Sequence, residues 1–292
     1  MDPRPVIFGE VLFDRFPDGN EVLGGAPFNV AWNLRCLGED PLLVSRIGDD
    51  EAGRRVLDAM AEIGLDKTAV QIDPEHPTGT VDVSFSDGEP QFEIVQDRAW
   101  DHIASIALPD GVRPSILYHG SLALRSEAPA GALESMRDAQ VPVFFDVNLR
   151  PPWFEVGQVR QVLGRADEIK LNEHELEQLA GSAGGLQERA RDLLDGAGAR
   201  SVFVTRGADG AACMSSEGEF LLTGPEAGIR VVDTVGAGDA FSSVLIIGML
   251  ASWPLPVTLQ RAGEFASAVV GLRGATTTDP GFYSRFRSRW ST

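Results

Sequence analysis

The ten residues Val232-Asp233-Thr234-Val235-Gly236-Ala237-Gly238-Asp239-Ala240-Phe241 constrain this chain more than any other stretch. The β-branched pair Val231 and Val232 reads as the end of a strand. Small residues and an acid follow, then an apolar run from Ala240 to Leu250 that predicts a buried helix. Gly236-Ala237-Gly238 therefore falls at or just before a helix N-terminus. Glycines there leave backbone N–H groups uncovered and the helix dipole adds partial positive charge, which together make an anion cradle. A carboxylate beside a phosphate cradle repels the ligand. Asp239 makes chemical sense as a base that takes a proton from a hydroxyl, which then attacks the phosphate. The competing reading is an Asp N-cap after a glycine turn.

Charge sharpens this. Acids outnumber bases 43 to 25, for a formal charge of −18. That argues against nucleic acid and anionic membrane surfaces as partners. An anionic nucleotide must then be held by local donors and a metal rather than by a basic field, unless the surplus serves solubility alone. With 292 residues, 43% hydrophobic and 23% charged, the chain has the make-up of an ordinary soluble globular protein. Cys36 and Cys213 give neither a disulfide framework nor metal-ligand spacing. No apolar run reaches membrane-span length, and Met1 to Pro5 does not read as a signal peptide, so the cytoplasm is the expected compartment.

Near the start, Val6 to Glu10 is an apolar strand that runs on into Val11-Leu12-Phe13-Asp14. Pro17 to Asn20 is a turn cluster, and Glu21-Val22-Leu23 pairs back as a hairpin. Asp14 stands where the strand becomes exposed and reads by itself as a solvated or turn-capping acid. In Gly24-Gly25-Ala26-Pro27-Phe28-Asn29-Val30-Ala31 the glycines break the strand and admit a close backbone approach. Pro27 suits a first helical turn, and the helix stops at Gly38. Asn29 lies in that first turn, where its amide can serve sugar hydroxyls or be incidental to the helix start.

Two blocks now stand about two hundred residues apart: Gly24 to Ala31, and Asp233 to Phe241. The pair resembles the two signatures of the ribokinase-like (PfkB) family of sugar kinases, over essentially the whole chain. The resemblance implies one ribokinase-like α/β domain across residues 1–292, three-layered, with a mostly parallel central sheet. It also implies a small β lid, formed by about 11–23 and 78–98.

The remaining pattern is compatible with that frame. Pro41 to Gly48 is a strand, and Asp49 to Ile63 a helix ended by Gly64, with Val56, Met60 and Ile63 on one face. Val70 to Ile72 is another strand. The alternation predicts a mainly parallel sheet. Thr80 to Phe85 and Gln91 to Gln96 alternate at period two around a turn at Ser86 to Pro90, an antiparallel hairpin. The resemblance makes that hairpin part of a water-excluding lid over a sugar. Arg98 just beyond it reads as a surface residue within reach of a site. Ile116 to Tyr118 resumes the sheet, and Pro129 to Gln140 is a helix.

Val143 to Asp146 is a buried strand leading into Val147-Asn148-Leu149-Arg150-Pro151-Pro152-Trp153. Asp146, Asn148 and Arg150 fall beyond a strand's carboxyl end, where ligands bind in open α/β sheets. Arg150 is either a clamp on a transferred phosphate or part of a structural turn with an Asp–Arg pair. Glu168 to Leu171 is a strand. Asn172 and Glu175 then have the spacing of a capping box, while the resemblance gives Asn172 to the nucleotide and Glu175 to magnesium through bound water. His174 between them reads as a solvated helix residue. Ser201 to Thr205 is a strand that turns at Arg206-Gly207-Ala208-Asp209-Gly210. The resemblance makes Thr205, Gly207 and Gly210 nucleotide contacts, although an ordinary β-turn needs the same glycines. Val257 to Leu272 is a helix. In many members of the resembled family a monovalent cation, such as potassium, sits between a loop like Gly274 to Thr278 and the segment of Asp233 and Val235.

The resemblance thus implies an ATP-dependent kinase acting on a primary hydroxyl of a sugar. Asp239 is its base, and Gly236, Ala237 and Gly238 donate to the transferred phosphate. Asp14, Gly24, Gly25, Asn29 and Arg150 hold the sugar. Gly9-Glu10, Asp14, Ala26-Pro27-Phe28-Asn29 and the Asp146 to Trp153 segment are most similar to fructokinases. A 2-keto-3-deoxygluconate kinase, a nucleoside kinase with an aromatic slot at Phe85 and Phe92, and a catalytically silent sugar or nucleotide sensor are the alternatives. Exposed lid edges make a homodimer through the lid the expected assembly.

Overall fold

The structure is a computed structural model that describes residues 3–86, 89–224, 228 and 230–290. In chain order its elements are β1 (Pro3–Phe8), β2 (Leu12–Arg15), β3 (Glu21–Gly24), α1 (Ala26–Leu37), β4 (Leu42–Gly48), α2 (Glu51–Glu62), β5 (Val70–Asp73), β6 (Gly79–Ser86) and β7 (Glu89–Ile94). Then come β8 (Arg113–Gly120), α3 (Glu127–Met136), β9 (Val143–Asp146), α4 (Val156–Leu163), β10 (Glu168–Asn172), α5 (Glu173–Ala180) and α6 (Leu186–Ala197). The last are β11 (Ser201–Thr205), β12 (Ala211–Ser215), β13 (Phe220–Thr223), α7 (Ala237–Leu250), α8 (Leu255–Val269) and α9 (Pro280–Trp290).

Two compact units divide these elements. One comprises Met1–Arg113, Ala123–Arg137 and Thr277–Thr292. Within it β1, β4 and β5 pair in parallel, and β3-β2-β6-β7 form a separate four-stranded sheet. The expected hairpin is β6 with β7, joined to β2 in parallel, and β2 pairs antiparallel with β3. The turn read at Ser86 to Pro90 has Asp87 and Gly88 outside the described residues.

β1 and β2 are not one continuous strand. The chain breaks at Gly9, whose φ of +145° is left-handed and whose Cβ position would lie 2.5 Å from Pro27. The apolar run continues through the break because both sides are buried, so hydrophobicity gave no sign of the change of sheet. The helix expected at Pro129 to Gln140 begins two residues earlier and ends at Met136. Helix α9, which the sequence pattern did not single out, packs Tyr283 against α1: its hydroxyl donates to Asn33 Oδ1 at 3.0 Å.

The other unit comprises Pro114–Leu122 and Asp138–Thr276. Its strand order is β13-β12-β11-β10-β9-β8, with β8 to β11 parallel and β12 and β13 antiparallel. Side chains alternate across this sheet. Phe145, Ile169, Leu171, Val202 and Val204 pack in one core with Leu163 of α4, Leu176 and Leu179 of α5 and Leu194 of α6. Residues one position away point to the opposite face, where α7 and α8 pack on each other. Both faces are covered, which explains why these strands read as nearly unbroken apolar runs.

Candidate functional site

The glycine-rich segment forms the N-terminus of α7 as expected. Gly236 is its N-cap, at φ +77° and with no side-chain cap. Ala240 N closes the first turn on Gly236 O at 2.8 Å, and Ala237 N reaches Thr234 O only at 3.4 Å. The N–H of Gly238 is thus offered to no capping side chain. Gly236 is irreplaceable here on two counts: its left-handed backbone, and an added Cβ that would fall 2.2 Å from Ala275 Cβ. Asp239 is in the first helical turn and half-buried.

The strand expected at Val231 and Val232 does not form. Both residues are exposed, at 65% and 52%, and lie in a loop held by Val232 N and Asp233 N on Val270 O. β-branching favours extended backbone, but no neighbouring strand edge receives the pair. Asp233 instead ties two segments together. Its Oδ1 accepts from Val235 N and its Oδ2 from Gly274 N, both at 3.0 Å. The 274–276 end of the small-residue loop therefore does meet the Asp233 and Val235 segment.

Under the cradle lies a group that sequence reasoning missed. Lys170, on β10, is buried, and its Nζ donates to Asp146 Oδ1 at 3.0 Å and Oδ2 at 3.2 Å. Parallel pairing puts the two residues side by side, Lys170 against Asp146. Ser242 Oγ of α7 donates to Asp146 Oδ2 at 2.7 Å, and the Tyr118 hydroxyl of β8 donates to it at 3.2 Å. A Cβ on Gly238 would approach Lys170 Nζ to 2.9 Å, so glycine at 238 lets the cradle sit directly on the ammonium. Burial alone would push the Lys170 ammonium down; the charges of Asp146, Glu175 and Asp239 hold it above its ordinary value. The signal was legible: a lysine amid a buried apolar strand requires a partner acid. It did not say which acid.

Asp146 therefore pairs with Lys170 and not with Arg150. Arg150 is exposed beyond β9. Asn148 adopts φ +37°, and its carbonyl accepts from Ser121 Oγ at 3.2 Å.

Asn172 and Glu175 form the capping box that their spacing suggests. Asn172 Oδ1 accepts from Glu175 N, and Glu175 Oε2 accepts from Asn172 N, both at 2.8 Å. Glu175 Oε1 accepts from Leu149 N at 2.7 Å. Burial raises the Glu175 carboxyl above its ordinary value, against the N–H groups and Lys170, which lower it. Each oxygen keeps a lone pair, so the donor set fits a water-mediated magnesium better than direct ligation. His174 is exposed.

Thr205 ends β11, and its hydroxyl reaches Leu171 O at 3.5 Å. Gly207 to Asp209 is a short 3-10 turn, closed by Arg206 N on Gly210 O at 2.8 Å. Gly210 is fixed by packing, since a Cβ would fall 2.0 Å from Thr223 O, whereas Gly207 faces open space.

The sugar candidates other than Arg150 lie in the first unit. Gly25 is the N-cap of α1 at φ +104°, where a Cβ would meet Glu10 O at 2.7 Å. Asn29 N donates to Gly25 O at 2.8 Å, and its side chain is buried. Asp14 sits mid-strand on β2, half-buried, with Oδ2 3.8 Å from where a Gly24 Cβ would stand. The structure thus brings Asp14 and Gly24 together, and sets Gly25 and Asn29 one helical turn apart. Phe92 is exposed at 55%, and the Phe85 side chain lies outside the described residues.

Comparison with known proteins bears on this arrangement. Residues 7–280 match the family described as pfkB family carbohydrate kinase. The chain is 34% identical to a fructokinase from Klebsiella pneumoniae, over 86% of each chain. It is 30% identical to aminoimidazole riboside kinase from Salmonella typhimurium, over 94% of this chain and 91% of that one. The crystal structure of aminoimidazole riboside kinase from Salmonella enterica, with aminoimidazole riboside and an ATP analog, superposes with a TM-score of 0.81 at 25% identity. That alignment covers 97% of this chain and 99% of the other. The fold is thereby ribokinase-like.

Proposed function

Because this chain belongs to the pfkB family of carbohydrate kinases and is an ATP-dependent sugar kinase, we propose that its acceptor is a ketose, D-fructose, phosphorylated to fructose 6-phosphate. The observation that carries the catalytic part is the uncapped N-terminus of α7 with a carboxylate in its first turn. In this reading Asp239 takes the proton of the sugar's primary hydroxyl. That oxygen forms the new bond to the γ-phosphorus, the bond to the ADP oxygen breaks, and the proton leaves Asp239 for solvent. The N–H groups of Gly236, Ala237 and Gly238 receive the charge carried by the transferred group. Lys170 adds a fixed cation beneath them, restrained by Asp146 so that the cradle stays positive without a mobile ammonium.

Asp14, Gly24, Gly25 and Asn29 hold the sugar hydroxyls, with Arg150 as a clamp at the phosphate end. Thr205, Gly207 and Gly210 line the nucleotide. Magnesium, when bound, neutralises nucleotide phosphate charge, and Asn172 and Glu175 would hold its water shell. The meeting of Asp233 and Val235 with the 274–276 segment supports a potassium site. Choline substituted for potassium at constant ionic strength should then lower turnover.

The choice of fructose rests on the Ala26-Pro27-Phe28-Asn29 form of the first signature and on the fructokinase relative. A riboside acceptor is the second reading, favoured by the 30% identity to aminoimidazole riboside kinase. A coupled ADP-release screen of fructose, aminoimidazole riboside, 2-keto-3-deoxygluconate, ribose and adenosine decides between them. Fructose should show the highest kcat/KM; a higher value for any other acceptor would replace the assignment while leaving the kinase intact.

A further inference from the structure

Two of the chain's four histidines meet far along the sequence from one another, at a place the kinase chemistry does not use. His76 lies on the connection between β5 and β6, and His102 ends the 3-10 turn Ala99–His102. Their rings stack at 3.6 Å between centroids and 17° between planes. Asp97, from the segment leaving β7, puts Oδ1 2.8 Å from His102 Nε2 and 3.6 Å from His76 Nε2. Asp97 holds φ +55°, a region that aspartate tolerates better than most side chains but still at a cost.

We propose that His76, Asp97 and His102 bind one divalent transition-metal cation of the zinc class, through the two Nε2 atoms and an Asp97 oxygen. Three observations carry this. First, the three ligand atoms lie within 4.8 Å of one another. Bonds of about 2.0–2.1 Å in tetrahedral geometry put ligand atoms about 3.3 Å apart, and the two Asp97 distances straddle that edge.

Second, His76 has the outer partner of a metal-bound histidine, and turning one ring out of the stack with His102 brings both Nε2 lone pairs toward one ion. His76 Nδ1 contacts Asp73 Oδ2 at 3.0 Å, so the Nδ1 proton faces a carboxylate and the Nε2 lone pair faces Asp97. Asp73 is itself fixed, since its Oδ1 accepts from the N–H groups of Glu75 at 2.8 Å and His76 at 3.0 Å.

Third, Arg46 ties the Asp73 carboxylate to the backbone of the His102 turn, which holds the two segments together. Its guanidinium forms an ion pair with Asp73, Nε to Oδ2 at 2.8 Å, and its Nη1 donates to the His102 carbonyl at 2.9 Å. Side-chain exposures of 24%, 35% and 76% for His76, His102 and Asp97 leave room for an entering ion and a water as fourth ligand.

Two imidazoles and one carboxylate select zinc, cobalt, nickel or copper over magnesium, which prefers oxygen. This site is therefore chemically separate from that of the nucleotide-bound metal. Its place is structural: Asp97 stands where the β6–β7 hairpin ends, and His76 where it is entered. A bound ion would fasten the two ends of that hairpin.

The test is a cobalt titration of the untagged, metal-stripped full chain, followed by visible absorbance. One Co2+ per chain with a four-coordinate spectrum is expected, displaced by Zn2+ and resistant to excess Mg2+. The melting temperature should rise with Zn2+. His76→Ala and His102→Ala should each weaken Co2+ binding by at least about tenfold. Asp97→Asn, at an exposed position that keeps its shape, should weaken it too and guards against a folding artefact. Magnesium-dependent sugar phosphorylation should persist in all three variants. No Co2+ uptake, displacement by Mg2+, or unchanged affinity in the histidine variants would overturn the proposal.

Discussion

Two helices in this molecule begin in the same way and are finished differently. α1 and α7 both start from a left-handed glycine, Gly25 or Gly236, without a capping side chain. In both, a tight contact forbids any larger residue: Glu10 O behind Gly25, Ala275 behind Gly236. The first turn of α1 then spends one donor on Pro27, has no acid, and offers the buried amide of Asn29. The first turn of α7 has no proline, keeps the N–H of Gly238, adds Asp239, and rests on Lys170. On the proposed function, one terminus serves a neutral polyol and the other an anion with a proton to move. Two helix starts with positive-φ glycine caps thus acquire opposite chemistry from three or four side chains.

The sharpest break of this contrast is Lys170→Met. It leaves Asp146 charged and buried without its cation, and should cost about 3–5 kcal/mol of stability by urea denaturation. Adding Asp146→Leu should return most of that loss, since a buried pair replaced by apolar groups is roughly neutral. Asp239→Asn comes next. It should lower kcat by at least about a hundredfold with an unchanged melting temperature, the signature of lost proton transfer. An active Asp239→Asn enzyme would erase the distinction between the two helix starts.

Glu168, two residues before Lys170 on β10, separates strand stability from cradle chemistry. Burial lifts its carboxyl from 4.5 to about 7, with Arg200 opposing, so folding favours its neutral form. The stability this confers is complete below about pH 4.5 and lost as pH rises through 7, about 3 kcal/mol in all. Glu168→Gln should flatten the wild-type decline in urea midpoint between pH 5 and 8, at an unchanged KM. The smallest effect is expected at α1. Asn29→Ala should raise KM for the sugar about tenfold, the cost of one or two hydrogen bonds, and leave kcat nearly intact.

Much of this was legible in the chain. The start and stop of α1, the glycine entry to α7, the capping box of Asn172 and Glu175, and the β6–β7 hairpin all depend on residues a few positions apart. Two strand readings failed. Val231 and Val232 had the composition of a strand but no edge to join, and the Val6 to Asp14 run hid a change of sheet because both halves are buried.

By itself the sequence determined where backbone N–H groups would be left uncovered, and which acid would stand beside them. Those outcomes follow from local stereochemistry, which each residue shares only with its neighbours. Tertiary structure alone decided that Lys170 would find Asp146, 24 residues earlier, and that Ser242, 96 residues later, would close on the same carboxylate. It likewise decided that His76, Asp97 and His102 would converge. Strand register and the packing of α7 set those meetings, and neither is written in any short span of residues.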